Sequence, residues 1–306
     1  MSATLIFIIG GTLAAAVPLM LAAMGELVAE KAGTLNLGVE GMMAIGAATG
    51  FVTVVATGSH VLGFVAGGVA AMALSAVFAC LTLPFAANQV ASGLAIGILG
   101  LGASSAIGKA HEGTTVAALS KLDFGPLSDL PILGPSLFQQ DYMVYLSVLL
   151  AIGVWYVLGR TKLGLIIRAL GESPLSAHML GYHVMLIRAG CVLFGGAMAG
   201  IGGAYLSTAY TPLWAEGMVA GRGWIVVALI VFGSWMVPRI AFGAYLFGAI
   251  SLMELSVQAL GLNIPSQLLS ASPYIVTIII LALISRDPVK IRLNSPMSLG
   301  QTFKNQ

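Results

Sequence analysis

The sequence predicts an all-α integral membrane protein, a polytopic bundle of about nine transmembrane helices with one short cytoplasmic helix. Of the 306 residues, 58% are hydrophobic and only 8% are charged, whereas about a quarter of the residues of a soluble domain are charged. No Lys, Arg, Asp or Glu occurs from Gly41 to Gly108. Because about 20 apolar residues suffice for one helical crossing, this run alone is long enough for about three helices.

Other charge-poor windows extend the series along the chain. The first, from Leu5 to Gly25, is interpreted as a permanent span and not as a signal peptide, because no Lys or Arg precedes it and a long apolar series follows. The later windows are 142–159, 189–215, 223–238, 240–253 and 255–285. Cutting the last run at its polar break gives roughly nine helices, within a range of about eight to ten, in a single transmembrane domain that covers residues 1–306.

Glycine predicts how these helices pack. The chain contains 39 glycines, and the segment FGGAMAGIGGAY at 194–205 is a dense cluster of small residues. Small residues let helix backbones approach closely where lipid provides no hydrophobic drive for association. We therefore expect tight helix contacts at this cluster.

Lysine and arginine residues indicate the orientation. We place the loop 160–188 in the cytoplasm and alternate the spans outward from it. The cytoplasmic side then receives Lys31, Arg160, Lys162, Arg168, Arg188, Arg239, Arg286, Lys290, Arg292 and Lys304, and the outside receives Lys109, Lys121 and Arg222. This bias satisfies the positive-inside rule. It predicts an external N-terminus, an external loop at about 109–140 and a cytoplasmic tail at about 286–306, and it explains the net charge of +2 without a nucleic-acid partner.

Motifs for catalysis are absent from the sequence. No lysine is followed by Ser or Thr, so the chain has no P-loop, and it has no His-Glu-x-x-His, Cys-x-x-Cys or Gly-x-Ser-x-Gly pattern. Cys80 and Cys191 lie in apolar windows, which favours buried small side chains over a disulfide or a ligand. We expect no catalytic residue, no metal site and no cofactor bound by this chain.

The loop 160–188 contains a short predicted helix. Ser173 suits an N-cap, Pro174 suits the first helical position and Gly181 suits a left-handed stop. The apolar residues between these positions are Leu175, Met179 and Leu180. Two helical turns are too short to be stable alone, so the residues leave open a simple connection or a docking element.

Three segments resemble the signatures of one transporter family. The stretch AGTLNLGVEGMM at 32–43 closely resembles the signature of permease subunits of bacterial ATP-binding-cassette importers for nucleosides and simple sugars. It is most similar to the nucleoside branch of this branched-chain amino acid/ribose-type superfamily. The stretch GRGWIVVALIVFGSWMVP at 221–238 looks like the second signature, and GLIIRALGESPLSAHMLG at 164–181 looks like the loop that docks into the ATPase.

The resemblance implies partners and a set of coupling residues. The coupling residues would be Gly164, Arg168, Ala169, Gly171, Glu172, Ser173, Pro174, Leu175, Met179 and Gly181. The family usually carries Asn-Pro where this chain has Ser173-Pro174, which preserves a capped helix but leaves open which ATPase it fits. The implied partners are that ATPase with its ATP and Mg²⁺, a second homologous permease, an extracytoplasmic substrate-binding protein and the lipid of a bacterial inner membrane.

Polar residues at membrane depth are the candidates for the substrate path. A charged or amide side chain in hydrocarbon is costly and usually faces a bundle interior or a water-filled path. Asn36 and Glu40 lie beside glycines at the first connection and are candidates for the path or its hinge. The alternative for Glu40 is a cap or structural partner of the next helix. The remaining candidates are Asn88, Gln89, Glu254, Gln258 and Trp224.

These remaining candidates also have structural interpretations. Glu254 and Gln258 lie four positions apart on one helical face, where they would line the cavity or bond across the bundle or a dimer. Trp224 suits interfacial anchoring, and stacking against a base is the minor alternative.

The favoured function is a non-catalytic permease subunit of an ATP-driven importer that passes an uncharged cargo, a nucleoside first and a sugar second. A phosphorylated or carboxylated cargo calls for Arg or Lys in the path, and the predicted spans supply neither. The competing class is a secondary transporter driven by protons or sodium, with Glu26, Glu40 and Glu254 as the relay.

Overall fold

The computed structural model describes residues 2–128, 130–131, 133–259, 266–284 and 294–303. The α-helices are α1 (Ser2–Lys31), α2 (Val39–Thr57), α3 (His60–Thr82), α4 (Gln89–Gly108), α5 (Tyr142–Arg160), α6 (Lys162–Glu172), α7 (Pro174–Met179), α8 (Val184–Tyr205), α9 (Arg222–Phe232), α10 (Val237–Ala259) and α11 (Ser266–Ile284). A π-helical turn at Leu206–Tyr210 extends α8. In the part of the chain that the structure describes, extended backbone forms two isolated bridges and no strand.

Six helices within the described ranges are long and apolar enough to cross a membrane. They are Ile8–Lys31, Val39–Thr57, His60–Thr82, Gln89–His111, Tyr142–Arg160 and Val184–Tyr210. The predicted all-α, multi-pass architecture is confirmed, whereas the count of about nine crossings is not. One reason is the window 223–238, where α9 has only 11 residues. At 1.5 Å per residue it is about 16 Å long, roughly half of a bilayer core of about 30 Å.

Helix α8 is the centre of the bundle and packs against α1, α2 and α3. Its glycines allow backbone contact. A Cβ atom added to Gly200 would lie 2.3 Å from the carbonyl oxygen of Gly67, and one added to Gly203 would lie 1.9 Å from that of Met43. The glycine cluster therefore packs helices closely, as the sequence predicts, and leaves no room for a methyl group at these positions.

The bundle has two distinct ends. At the first, which we call the tail end, the C-terminal residues 294–303 contact the loop between α5 and α8, and Ser298 N–H donates to the carbonyl of Gly171 at 2.8 Å. At the second, which we call the loop end, the Tyr205 hydroxyl donates to Asp141 Oδ2 at 2.7 Å. The loop that contains α7 and the C-terminal residues thus share one end, as the alternation of spans predicts.

Substituting Gly203 with Ala tests the close packing of α8. Gly190 lies on the same helix, and a Cβ added there meets no atom within 4 Å, so Gly190→Ala is the matched control. Because the Gly203 methyl group must displace the α2 backbone, we expect a loss of about 1–3 kcal/mol of stability or more. The measurement is the apparent Tm of the purified protein by size-exclusion chromatography after heating. Equal Tm values for the two variants would contradict this packing.

Candidate functional site

Helix α9 begins inside the bundle instead of at a membrane surface. The segment that precedes it starts at the loop end, where Trp214 packs against Phe51, and it ends at Gly221, beside the first turn of α2. The first turn of α2 also lies inside the bundle. The α1–α2 connection turns back along α1, so that Asn36 N–H donates to Glu26 Oε1 at 3.2 Å. Irregular backbone at membrane depth is tolerated where it is buried in protein or lines a cavity. The half-length helix α9 and the non-helical segment before it are therefore a place where a substrate path can form.

Glu40 caps the N-terminus of α9 from the first turn of α2. Its Oε1 accepts a hydrogen bond from Gly221 N–H at 2.8 Å, and its Oε2 accepts one from Gly223 N–H at 2.7 Å. The N-terminal turn of a helix has free N–H groups and a partial positive charge, and a carboxylate satisfies both. Only glycine fits at position 223, because a Cβ atom there would lie 2.4 Å from the Glu40 backbone. Glu40 is thus a helix cap. The helix that it caps is α9, 181 residues further along the chain, and not the next helix, α2.

The turn after α9 is attached to α1. Trp235 donates its indole N–H to Glu30 Oε2 at 2.6 Å, and the Glu30 side chain is fully buried. Ser234 and Trp235 both adopt left-handed backbone conformations, with φ of 54° and 53°, and Arg239 donates to the Ser234 hydroxyl at 3.1 Å. An acid therefore holds α9 near each of its ends.

Asn36 stabilises the α1–α2 connection. Its Oδ1 accepts a hydrogen bond from Gly38 N–H at 2.9 Å, and its Nδ2 lies 3.4 Å from the sulfur of Met42. The side chain is completely buried. These contacts place it in the turn that leads to Glu40.

Asn88 and Gln89 lie at the start of α4, toward the tail end. Asn88 is exposed and caps α4 by accepting a hydrogen bond from Ala91 N–H at 3.0 Å. Gln89 is buried, accepts from Leu35 N–H at 2.8 Å and donates to the carbonyl of Gln301 at 3.3 Å. Both amides therefore have structural partners, and Gln89 joins the α1–α2 connection to the C-terminal residues.

The other path candidates lie on α9 and α10. Trp224 is 45% exposed on the outer face of α9. Glu254 and Arg222 are both close enough to Tyr274 to act on its hydroxyl electrostatically, and this hydroxyl donates to the carbonyl of Ala220. The structure thus gathers Glu40, Glu254 and Trp224 around the start of α9. The side chain of Gln258 lies outside the described residues.

A cleft of about 400 Å³ opens between α4 and the segment that precedes α9. Its polar groups are Ser104, Ser105 and Glu216, and Ser105 Oγ donates to Glu216 Oε1 at 2.8 Å. Sequence reasoning missed this pair, because the two residues are 111 positions apart and lie outside the three signature segments. The one available signal is Glu216 itself, an acid in an otherwise uncharged stretch between two apolar windows.

The predicted helix at the tail end is confirmed as α7, and its caps are those predicted. The Ser173 hydroxyl accepts from Ser176 N–H at 3.2 Å, Pro174 is the first helical residue, and Gly181 has a φ of 86°. Three apolar side chains of this region are 60–80% exposed: Leu175, Met179 and Leu180. A helix with this much exposed apolar surface is typical of a docking element.

The remaining coupling candidates lie on α6. Gly164 packs on the carbonyl oxygen of Val157, and Gly171 packs on that of Lys31, with added Cβ atoms at 2.0 Å and 2.2 Å. A polar cavity of about 300 Å³ lies beside this helix, and its lining includes Lys31, Arg168, Ala169 and Glu172.

Arg188, which in the sequence serves only as an indicator of topology, is buried at the tail end and connects three segments. Its Nε donates to the carbonyl of Ala32 at 2.9 Å, and its Nη2 donates to Ser298 Oγ at 2.9 Å and to the carbonyl of Leu170 at 3.4 Å. Phe303 packs against Leu170 in a small apolar cluster that includes α7. The C-terminal residues therefore brace the segment that carries α7.

The cysteines and the possible metal-ligating side chains do not gather into one site in the described ranges. No three His, Cys, Asp or Glu side chains there come close enough to hold a metal ion. Both cysteines are free, and Cys191 is buried as expected, whereas Cys80 is exposed on α3. The expectation for Cys80 was wrong because an apolar window does not distinguish the bundle-facing side of a helix from its outer side.

Comparisons with known proteins agree over most of the chain. The family model for the permease component of branched-chain amino acid transport systems matches residues 8–284. The provisionally named glucose ABC transporter permease protein TsgC13 of Haloferax volcanii is 38% identical over 98% of each chain. The guanosine ABC transporter permease protein NupQ of Bacillus subtilis is 33% identical over 90% of each, and the nucleoside ABC transporter permease protein NupC of Lactococcus lactis is 31% identical over 92% of each. No solved structure matches the chain significantly.

Removing the Glu40 carboxylate tests its role as the cap of α9. In Glu40→Ala the N–H groups of Gly221 and Gly223 lose their acceptors, and hydrogen bonds to a charged group contribute about 1.5–3 kcal/mol each. We expect a Tm lower by several degrees and a loss of transport in the protein that remains folded. Glu112→Gln, in an exposed stretch at the loop end, is the control. A Glu40→Ala variant with the Tm and the uptake of the control would refute the cap.

Proposed function

Because the chain belongs to the family of permease components of branched-chain amino acid transport systems, we propose that it forms the membrane path for an uncharged nucleoside in an importer. It is a multi-pass permease subunit of an ATP-binding-cassette transporter and is not an enzyme, since a separate subunit hydrolyses ATP. The observation that carries the cargo proposal is the similarity to the guanosine and nucleoside permeases, which extends over 90% and 92% of the chain. We expect ATP and Mg²⁺ to bind the ATPase and no cofactor to bind this chain.

The cleft supports an uncharged cargo. Its lining contains the acid Glu216 and two serines, and no Lys or Arg lines it among the described residues. A phosphate or carboxylate needs a cationic partner. A sugar is the second candidate, because the relative named for glucose is 38% identical over nearly the full length.

The contacts of the acids argue against a proton relay. Both Glu40 oxygens accept backbone hydrogen bonds, and one oxygen each of Glu26 and Glu30 accepts from Asn36 N–H and from the Trp235 indole. A relay carboxylate must take up and release protons, whereas protonation of Glu40 would remove an acceptor from the α9 N-terminus. Glu40 therefore suits a structural role better than a place in the proton relay of a secondary transporter.

We place the tail end in the cytoplasm and the N-terminus outside. The described residues of the tail end include Lys31, Arg160, Lys162, Arg168 and Arg188, in keeping with the positive-inside rule. In this orientation α7 meets the ATPase and the loop end receives cargo from an external binding protein. A second permease would cover the exposed apolar side chains of α4 and α9, such as Ile98 and Trp224, with the path between the two subunits.

Uptake measurements test the cargo. In cells that lack the gene and in cells that carry it back, we expect labelled guanosine, adenosine or uridine to accumulate only when the gene is present, because the cleft suits an uncharged cargo. Ribose and glucose serve as the alternatives, and a nucleoside monophosphate serves as the charged control. Gene-dependent uptake of sugars alone would exclude a nucleoside permease, and uptake of the monophosphate would refute the argument from charge.

Charged substitutions on α7 test the docking of the ATPase. Leu175→Asp and Met179→Asp introduce charge where 60% and 80% of the side chain is exposed. If these side chains contact the ATPase, its co-purification should fall by about tenfold or more. Leu122→Asp, at an exposed apolar position of the external loop, is the control. Undiminished co-purification of the ATPase with both α7 variants, at normal yield, would exclude α7 as the docking helix.

A further inference from the structure

We propose that Ser105 and Glu216 bind adjacent hydroxyl groups on the ring of the cargo, at the outer mouth of the path. The inference rests on the proposed function, and it adds the chemical group that the permease recognises. A nucleoside and a simple sugar both carry a ring with neighbouring hydroxyls. The site would thus recognise the part that the two cargo classes share.

The hydrogen-bonding groups of the cleft match a pair of hydroxyls. A carboxylate offers about four acceptor positions, and Glu216 uses one of them for Ser105 Oγ at 2.8 Å. Its Oε2 accepts no hydrogen bond from the described residues, and the side chain is exposed to the cleft. One ring hydroxyl can therefore donate to Glu216 Oε2 and its neighbour to the lone pairs of Ser105 Oγ, while Ser105 keeps its own hydrogen bond to Glu216.

The rest of the cleft suits the apolar faces of such a molecule. Ile98, Leu101 and Met218 contribute apolar surface beside the polar pair. The volume of about 400 Å³ falls in the range of small-molecule sites, which combine mostly apolar walls with a few placed polar groups. The cleft can accommodate a nucleoside-sized molecule with its hydroxyl edge toward Glu216.

The surroundings of Glu216 indicate that this face does not meet lipid. Ile98 is 72% exposed on the same side of α4, and a carboxylate beside such a surface is costly against hydrocarbon. Water or a second subunit must therefore face the cleft. The carboxylate also repels an anionic cargo, in agreement with a neutral ring.

The cleft is joined to the start of α9. Arg222 donates from Nη1 to the carbonyls of Met218 and Val219, at 2.8 Å and 3.3 Å, and Glu40 holds Gly221 two residues further on. A cargo bound to Glu216 thus contacts the segment that leads directly into the half-length helix.

Thiol labelling tests the site without the binding protein. Gly102 lines the cleft, and a Cβ added there meets no atom within 4 Å. The sample is a permease–ATPase complex in lipid nanodiscs, in which Cys80 and Cys191 are replaced by Ala. We expect millimolar guanosine or glucose to slow the maleimide labelling of Gly102→Cys in this complex. It should not slow labelling of Glu112→Cys, the control in an exposed stretch at the loop end. Adding Glu216→Gln should abolish the protection, and 2′,3′-dideoxyguanosine should protect less than guanosine. Equal protection with and without the Glu216 carboxylate would overturn the proposal.

Uptake measurements on the wild type and on variants of Glu216 and Ser105 distinguish a failure of this site from a failure of the proposed function. Because the binding protein sets the cargo concentration at half-saturation, the readout is the maximal uptake rate. Loss of a hydrogen bond to a charged group should lower this rate by about tenfold in Glu216→Gln, with less effect in Ser105→Ala and near-normal rates in Ser105→Thr, which keeps the hydroxyl. Tm values confirm that the variants fold. If the wild type takes up neither nucleosides nor sugars, the proposed function fails. If it takes up either and the Glu216 and Ser105 variants match it, only this site fails.

Discussion

The bond between Glu40 and the N-terminus of α9 is the interaction on which the proposed path depends. A helix that starts at membrane depth exposes N–H groups that neither lipid nor a preceding turn can satisfy. Glu40 accepts two of them, at 2.8 Å and 2.7 Å, and the positive end of α9 compensates its charge in return. Neither a buried carboxylate nor a half-length helix is stable here without the other. This mutual requirement fixes α2 against α9, and with them the segment that lines the cleft.

The acids and amides that polarity singles out turn out to stabilise backbone irregularities. Glu26 and Asn36 hold the recessed α1–α2 connection, Glu30 holds the turn after α9, and Gln89 holds both the connection and the C-terminal residues. The physical reason is general, because every break in a helix within hydrocarbon exposes donors that need a nearby acceptor. Glu216 in the cleft differs from these residues, because it lies at the loop end of the segment before α9 and its Oε2 accepts no hydrogen bond from the described residues.

Local features were predictable from the sequence, and long-range ones were not. The caps of α7 were predicted residue by residue, because Ser173, Pro174 and Gly181 act on neighbouring backbone. The importance of Glu40 was also predictable from its polarity. Its partner was not, because the donors are backbone groups of glycines with no recognisable side chain. The length of α9 was missed for a related reason. An apolar window has the same composition whether one helix fills it or a non-helical segment replaces part of that helix, so hydropathy alone gives no helix boundary there.

The last turn of α1 connects the proposed docking helix to the proposed path. On one side, Gly171 packs directly on the carbonyl of Lys31, and Arg188 links the neighbouring carbonyl of Ala32 to the C-terminal residues that brace α7. On the other side, Glu30 holds Trp235 after α9. Backbone packing with no space for a methyl group transmits displacement, because close-packed interiors are nearly incompressible. A shift of α6 and α7 must therefore move the end of α1, and with it the indole that anchors α9. If α7 docks an ATPase as we propose, the polar contacts at the two ends of α9 are the points through which a shift of α7 would reach the cleft.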